Sequence, residues 1–418
     1  MLRVLLLLPT TTYRTEAFLT AARQLGVDVT VASEEPSTLA DLNPAGFLTV
    51  SFNKPEEATS IIAEFARSYP IHAVIPVDEQ TAIVAAMVAA SLKLRHNSVE
   101  SALAAGNKYQ MRELLSRAGV RVPGYRLLSL SDDAAAVARG LRYPCVVKPL
   151  ILSASRGVIR ADTREQFVQA FRRVAAILSA PEIESKGTSA RQVLVEDFIP
   201  GKEVALEGLL SQGKLRVLAL FDKPDPLDGP FFEETIYVTP SILRADIQTK
   251  VIDCTARTAE ALGLTEGPVH AELRVNQMEP CVLEIAARSI GGRCARALRF
   301  GTGVSLEELI LRHALGMSVA DMKREKRASG VMMIPIPKRG VLAQVEGLSE
   351  ARNIPGIDEI SITAHVGQTL IPLPEGNQYL GFIFARGNDP HAVVASLRNA
   401  HLKLRFDIAG STAKMSGD

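Results

Sequence analysis

The chain has 418 residues, which is enough for two or three domains that each bury their own core. Its hydrophobic and charged fractions, 47% and 22%, are those of an ordinary globular protein and exclude wholesale disorder. A formal net charge of +1 gives no electrostatic preference for nucleic acid or an anionic membrane. The four cysteines lack CxxC spacing, so we expect reduced core residues in a cytoplasmic protein.

The first hundred residues alternate between apolar runs and helical patterns. LRVLLLLP is typical of a parallel strand covered on both faces, and its short run, with no small-residue cleavage site after it, favours a strand over a secretory signal. TEAFLTAARQLG, DVTVAS, EEATSIIAEFARSYP and HAVIPVD then continue a β-α-β-α-β order. We therefore predict an open, doubly wound α/β domain to about residue 105. Asp78 and Glu79 follow its last strand, where a ligand site and a helix N-terminus are both open interpretations.

The next segment begins with NKYQMRELLSRAGV, a helical pattern that ends at Gly119. Lys148 then ends the apolar strand CVVK and is followed by LILSASRG, whose amides and hydroxyls could hold phosphates, although a plain hairpin loop is the commoner explanation. In VLVEDFIPGKEVALEG, the backbone of Asp197 to Ile199 could hydrogen-bond an adenine and Glu203 could accept from ribose hydroxyls. Taken alone, this stretch is a charged turn.

HAELRVNQMEPCVLEIAARSIGG predicts a hairpin with two acids inside otherwise buried strands. If Val275 pairs with Cys281, Glu272 faces Glu284, and strand alternation divides the residues between two faces. The predicted chemical face holds His270, Glu272, Arg274, Glu284, Ala286 and Arg288, and the core face holds Val269, Ala271, Leu273, Val275, Cys281, Leu283, Ile285 and Ala287. Directly opposed residues have Cβ atoms about 5 Å apart, so two opposed carboxylates repel unless one is protonated or a cation lies between them. Mg²⁺ is a cation that meets this need. The alternative is a solvated hairpin face whose acids pair with Arg274 and Arg288.

The last hundred residues contain the strand patterns GVMMIPIP, DEISITAH and LGFIFARG and the helical DPHAVVASLRNAH. This mixture predicts a small α+β domain. The longest apolar helix in the sequence, TAIVAAMVAASLKL, falls short of the roughly 20 residues that span a bilayer, so we expect no membrane segment.

In this order, the NK helix start, Lys148 with its small-residue loop, VEDFIPGKE, HAELRV and LEIAARSIGG resemble the ATP-grasp superfamily. LSASRGVIRAD, FFEETIYVTPS and EIAARSIGG are most similar to carboxylate–amine ligases of the L-amino-acid ligase type. The resemblance implies an α/β ATP-grasp fold with three parts. These are a Rossmann-like domain at 1–105, an ATP-grasp domain at 106–315 with lobes near 106–190 and 191–315, and a small α+β domain at 316–418.

The resemblance also implies roles for individual residues. ATP would be bound by Lys108, Lys148, the loop residues Ser153, Ser155 and Gly157, the adenine hinge Glu196, Asp197, Phe198 and Ile199, and Glu203 on the ribose. Mg²⁺, or Mn²⁺ in its place, would be held by Glu272 and Glu284. Lys148 and Arg288 would be catalytic, and the substrate would contact Glu233, His270, Arg288, Gly291 and Gly292.

Two departures from the family pattern are visible. The E-x-N pattern often places an asparagine two residues after the second metal acid, where this chain has Ala286, and the phosphate loop is poor in glycine.

The function implied is an ATP-dependent ligase that joins small-molecule carboxylates and amines through an acyl-phosphate, with a homodimer as the default assembly. A carboxylase that makes carboxyphosphate from bicarbonate and a nucleotide-binding module without turnover are the alternatives.

Overall fold

The computed structural model of the chain describes residues 1–10, 12–184 and 187–410. Its N-terminal elements are β1 Arg3–Leu7, α1 Thr15–Leu25, β2 Asp28–Ser33, β3 Phe47–Thr49, α2 Pro55–Ser68, β4 Ala73–Pro76, α3 Ala82–Ser91, α4 Val99–Gly106 and α5 Lys108–Arg117. The central elements are β5 Tyr125–Ser129, α6 Ala134–Ala138, β6 Cys145–Pro149, β7 Ile159–Ala161, α7 Arg164–Leu178, α8 Pro181–Glu184, β8 Gln192–Asp197, β9 Lys202–Ser211, β10 Lys214–Asp222, β11 Ile236–Thr239, α9 Ala245–Ala261, β12 Gly267–Asn276, β13 Glu279–Ala286 and α10 Leu306–Ala314. The C-terminal elements are β14 Ala328–Ile334, β15 Gly340–Glu346, α11 Leu348–Arg352, β16 Ile357–Ile362, β17 Thr369–Leu370, β18 Gly381–Gly387, α12 Pro390–His401 and β19 Arg405–Ala409.

The described residues form two compact units, each assembled from separate stretches of the chain. The first unit contains Met1–Val122, Val204–Leu220 and Leu243–Lys326. The second contains Pro123–Glu203, Phe221–Ile242 and the residues from Arg327 onward. The division into three consecutive domains at residues 105 and 315 stays a prediction.

The N-terminal part of the first unit is the predicted α/β domain. Its sheet has the order β3-β2-β1-β4, and all of its pairs are parallel. Leu5, Leu6 and Leu7 in β1 are fully buried, as expected for a central parallel strand that is covered on both faces. Complete burial of such a side chain contributes about 1.5–3 kcal/mol, which explains why the sequence opens with an unbroken apolar run.

The first unit also contains the strands β13-β12-β9-β10 in that order. Their apolar face forms one core with side chains of α4, α5 and α9, including Met111, Leu115 and Val251. Helix α5 begins at Lys108 because the Asn107 side chain accepts hydrogen bonds from the next free amides, those of Tyr109 and Gln110, at 3.0 and 3.1 Å. This cap sets the position of Lys108 at the start of the helix.

The second unit begins with an antiparallel sheet of order β5-β8-β6-β7. Helix α7 covers one face of it, where Phe167, Phe171 and Val174 pack on Val147 and Val193. The rest of the unit contains β11-β14-β18-β16, the small sheet β17-β15-β19 and helix α12. The predicted α+β character of the C-terminal region therefore matches the structure. Within the described residues, no helix has the length and hydropathy required to cross a bilayer.

Candidate active site

The hairpin β12–β13 places Glu272 directly opposite Glu284, as the sequence predicts. Its turn is one residue tighter than expected: Gln277 and Met278 both have positive φ, 51° and 63°, and Val275 pairs with Pro280 rather than Cys281. A bulge after Glu272 then shifts the register by one residue and restores the Glu272–Glu284 pair. The bulge also corrects the predicted core face. Val282 packs in the first-unit core where Cys281 and Leu283 were predicted. Leu283 is half-buried, and Cys281 is buried, as predicted, but pairs with Arg274 outside this cluster.

Lys108 is a buried cation that contacts the second of these acids. Its Nζ lies 3.3 Å from Glu284 Oε1, and its side chain is 7% exposed. Burial alone would lower the pKa of Lys108, but the carboxylates of Glu284 and Glu79 raise it above its usual value. Lys108 is therefore charged at neutral pH. The Glu284 carboxylate attracts this cation and stabilises its charge.

His270 lies between two carboxylates of the first unit. Its Nδ1 donates to Glu207, and its Nε2 donates to Glu272 Oε1 at 3.2 Å. Burial alone would lower the pKa of His270, but Glu207 and Glu272 raise it to about 9, so the ring is a cation with two donors. Both nitrogens are thus engaged in orienting acids, and the predicted contact of His270 with substrate stays a prediction.

Glu207 is a site residue that the sequence analysis missed. It is fully buried in β9, and besides His270 it accepts a hydrogen bond from the Ile290 amide at 3.0 Å. One carboxylate thereby connects His270 with the stretch that contains Gly291 and Gly292. The signal in the sequence was an acid within an otherwise apolar strand, KEVALEGLL, because such an acid requires buried partners.

Arg288 follows β13 and pairs with the N-terminal α/β domain. Its guanidinium donates to the Ser289 carbonyl at 3.0 Å and lies 3.4 Å from Glu79 Oε2. Burial alone would lower the pKa of Arg288, but Glu79, Asp78 and Glu284 together raise it. Glu79 begins a 3₁₀ turn, in line with the helix N-terminus interpretation, and it also contacts Arg288. The ligand-site interpretation of Asp78 and Glu79 stays a prediction.

In the second unit, Lys148 and Glu196 form a buried ion pair. Val146 pairs with Glu196 across β6 and β8, and Lys148, two residues farther along, lies on the same face of the sheet. The Nζ–Oε2 distance is 2.5 Å, and the side chains are 10% and 2% exposed. Removing either residue would take away the buried counter-charge of the other, a change that is typically strongly destabilising.

The hinge residues predicted to bind adenine are partly engaged within the second unit. The Asp197 amide donates to the Gly124 carbonyl at 2.8 Å, and the Phe198 amide donates to the Pro144 carbonyl at 3.1 Å. These two amides are therefore already hydrogen-bonded, and any adenine contact must use other atoms of Glu196 to Ile199. The adenine role of the segment stays a prediction.

Glu203 is held by Lys223, a second residue that the sequence analysis missed. Lys223 Nζ lies 2.8 Å from Glu203 Oε1 and also contacts Glu234, which accepts from the Tyr237 hydroxyl at 3.0 Å. The Lys223 side chain is 3% exposed. A buried lysine that follows the apolar strand β10 fixes the Glu203 carboxylate in place. The ribose role of Glu203 stays a prediction.

The loop from Ser153 to Gly157 has an unusual backbone. Ala154, Ser155 and Gly157 all have positive φ, at 53°, 55° and 74°. Glycine is required at 157 because a Cβ there would lie 2.7 Å from Pro149 Cγ. Farther along the same unit, half-buried Glu233 has a pKa that burial raises to about 7.

The predicted site residues thus fall into sets within each unit. The first unit brings together Lys108, His270, Glu272, Glu284 and Arg288, with Glu207 and Glu79 added by the structure. The second unit brings Lys148 to Glu196, and it places Glu203, Glu233 and the loop Ser153–Gly157 in the same body. Glu272 and Glu284 offer opposed carboxylate oxygens, the donors that Mg²⁺ takes, and Glu284 already attracts one cation. The residues present therefore fit a magnesium ion.

Three family models match the chain in succession. These are the ATP-grasp N-terminal domain over residues 19–95, the ATP-grasp domain over 141–297 and the L-amino acid ligase C-terminal domain 2 over 332–409. Enzymes with the ATP-grasp domain generally use ATP and Mg²⁺.

Two curated relatives are ligases. Alanine–anticapsin ligase of Bacillus subtilis is 27% identical over 274 residues, which cover 62% of this chain and 57% of the relative. Dapdiamide A synthase of Enterobacter agglomerans is 29% identical over 281 residues, which cover 64% of this chain and 63% of the relative. The matches thus span less than two thirds of either relative's length.

The fold is also that of a solved structure. The L-amino acid ligase from Bacillus licheniformis superposes with a TM-score of 0.80 over 98% of this chain and 99% of its own, at 23% sequence identity. The predicted ATP-grasp fold is therefore confirmed. The chain therefore has an ATP-grasp N-terminal domain, an ATP-grasp domain and an L-amino acid ligase C-terminal domain in this order, within an ATP-grasp fold.

Proposed function

We propose that this protein is an ATP-dependent ligase that joins two amino acids, or an amino acid and another carboxylate, through an acyl-phosphate, giving an amide or dipeptide, ADP and phosphate. The observation that carries the proposal is the first-unit cluster, in which two opposed carboxylates lie beside Lys108, His270 and Arg288. The names of the two curated relatives, an alanine–anticapsin ligase and a dapdiamide A synthase, support amide formation.

In the proposed reaction, a substrate carboxylate oxygen attacks the γ-phosphorus of ATP and ADP leaves. The amine nitrogen then attacks the acyl-phosphate carbon, loses a proton and expels phosphate. A Mg²⁺ ion held by Glu272 and Glu284 would neutralise charge on the phosphate oxygens. Mn²⁺ is the alternative ion.

The chain's own cations would supply the remaining electrostatic stabilisation. Lys108 and Lys148 would bind phosphate oxygens, and Arg288 would stabilise the transferring phosphoryl group and the acyl-phosphate. Both lysines are buried and each is paired with a carboxylate, Lys108 with half-buried Glu284 and Lys148 with buried Glu196, so little reorganisation is needed at the moment of reaction. Gly291 and Gly292 would admit the substrate carboxylate close to the backbone, and Glu233 and His270 would face the amino-acid pocket.

The remaining nucleotide contacts are proposed for the second unit. Glu203 would accept from the ribose hydroxyls, the segment Glu196–Ile199 would contact the adenine, and the loop Ser153–Gly157 would bind phosphates. We also propose that residues 1–105, 106–315 and 316–418 are the three functional domains. Homodimerisation is the default expectation.

A phosphate-release screen of amino-acid pairs with mass analysis of the products tests the proposal. We expect phosphate release that depends on both an acid and an amine, together with one amide product per phosphate. Glu284→Gln should abolish turnover, whereas Glu279→Gln, at the exposed hairpin turn, should not. ATP hydrolysis stimulated by bicarbonate alone would indicate a carboxylase, and ATP binding without any turnover would indicate a non-catalytic module.

A further inference from the structure

The loop Ser153–Gly157 is strained where it is proposed to bind phosphates. Ala154 and Ser155 are consecutive non-glycine residues with positive φ, a conformation that brings the Cβ atom too close to the following carbonyl oxygen. Two turn hydrogen bonds, from the Arg156 amide to the Ser153 carbonyl at 3.2 Å and from the Val158 amide to the Ser155 carbonyl at 3.1 Å, lie within the loop itself. Strained backbone persists only where surrounding structure holds it.

A turn of the C-terminal domain, in the same unit, supplies this support. The Gly157 amide donates to the Pro374 carbonyl at 2.9 Å, and Arg156 Nε donates to the Glu375 carbonyl at 2.9 Å. Both bonds come from Arg156 and Gly157, the two residues that directly follow Ala154 and Ser155. These bonds join stretches that are distant in the sequence, because Arg156 and Glu375 are 219 residues apart.

The turn is itself fixed at two points. Glu375 accepts two parallel hydrogen bonds from Arg173 in α7, at 2.6 Å from Nε and 2.9 Å from the terminal nitrogen. Arg173 also lies over the Phe231 ring, at 4.9 Å from its centroid. The Gly376 amide closes the turn on the Pro372 carbonyl at 2.9 Å, and a Cβ at Gly376 would lie 1.8 Å from the Ile371 carbonyl oxygen.

We propose that the turn Pro374–Glu375 holds the loop Ser153–Gly157 in its phosphate-binding conformation, with Glu375 as a positioning residue that is anchored on Arg173. This inference rests on the proposed function, because it takes the loop to be the phosphate loop. It explains how a loop with a single glycine keeps three positive-φ residues. The C-terminal domain then contributes to nucleotide binding without contacting the nucleotide.

Because the Arg173–Glu375 pair is partly exposed, an effect on the position of the loop can be distinguished from an effect on global stability. The Arg173 and Glu375 side chains are 44% and 32% exposed, so losing the pair costs little global stability. A large loss of nucleotide affinity in a variant of normal stability would therefore report on the loop. The matched control is Asp358→Ala, which removes an ion pair with Arg386, at 2.6 Å, in the same domain.

The test compares Glu375→Ala with Asp358→Ala in the full-length chain by calorimetric titration with MgATP and with AMP. We expect Glu375→Ala to bind MgATP about tenfold more weakly, with AMP affinity within twofold of wild type, because AMP lacks the outer phosphates. The charge-swapped pair Arg173→Glu/Glu375→Arg should recover most of the MgATP affinity. Once substrates are known, the KM for ATP should rise more than kcat falls.

Three outcomes would overturn the inference: unchanged MgATP affinity in Glu375→Ala, equal weakening of MgATP and AMP, or an equal loss in Asp358→Ala. If Glu375→Ala does not fold, Gly376→Ala displaces the same turn and takes its place in the comparison. Failure of the wild-type protein to bind MgATP at all would instead reject the proposed function. The two failures are therefore distinguishable.

Discussion

Removing Lys148 should destabilise the protein in a strongly pH-dependent manner. In Lys148→Met, the buried Glu196 carboxylate loses the cation that lies 2.5 Å away in the wild-type protein. Breaking a buried pair in this way typically costs about 3–5 kcal/mol. The folded variant can limit this cost by taking up a proton, which for an ordinary glutamate costs about 3.5 kcal/mol at pH 7 and about 1 kcal/mol at pH 5. We therefore expect a loss of about 3 kcal/mol at pH 7 that shrinks to about 1 kcal/mol at pH 5.

The sign follows from proton linkage. The folded variant holds a proton on Glu196 that its unfolded chain releases above about pH 4.3, so the stability of the variant falls as pH rises through this range. Urea unfolding of the variant and of the exposed-lysine control Lys403→Met, at pH 5 and pH 7, measures the difference. The double variant Lys148→Met/Glu196→Gln should recover most of the stability but not MgATP affinity. A destabilisation that is equal at both pH values, or a double variant as unstable as the single one, would refute the reasoning.

Three further predictions concern other site residues. Glu207→Gln removes one of the two carboxylates that contact the buried His270 cation, and should cost about 2 kcal/mol in urea unfolding and lower kcat in phosphate release. Because burial raises the pKa of Glu233 from 4.5 to about 7, wild-type stability should fall as pH rises across that interval. Thermal unfolding of Glu233→Gln should lack this slope and show a gain of about 1–2 kcal/mol at pH 8, once solvent screening is included. Arg288→Ala should lower kcat at least about 100-fold, whereas Glu79→Gln, which removes a charged neighbour of Arg288 and Lys108 but leaves both cations in place, should lower it less than about tenfold.

Local patterns were sufficient to predict the doubly wound N-terminal domain and the opposed acids of the hairpin. Strand parity gives the faces of β12 and β13, but no residue type marks the bulge after Glu272, because a bulge inserts one residue without a composition of its own. The tighter turn and the bulge shift the register in opposite directions. The Glu272–Glu284 pair was therefore predicted correctly, while the assignment of Cys281 and Leu283 to the face that packs in the first-unit core was wrong, although Cys281 is itself buried.

The partners of the site residues could not be predicted, because they are distant in the sequence. His270 and Glu207 are 63 residues apart, and Arg173 and Glu375 are 202 apart. Periodicity assigns a buried position to Glu207 but does not name the cation that compensates it. The resemblance to known ligases supplied candidate roles for the acids, and only the structure shows which charges hold each of them in place.

Ala286 departs from the family pattern at the position where an asparagine often follows the second metal acid. Ala286 is 2% exposed and pairs across the hairpin with His270. An asparagine there would face an imidazole whose nitrogens both already donate to carboxylates, and a buried amide left unmatched costs about 1–3 kcal/mol. In this chain, His270 orients Glu272 and Lys108 orients Glu284, so a third side chain is not needed to fix the acids. Mg²⁺ commonly takes one or two protein carboxylates and completes its shell with water and phosphate oxygens, so alanine at this position is compatible with the proposed metal site.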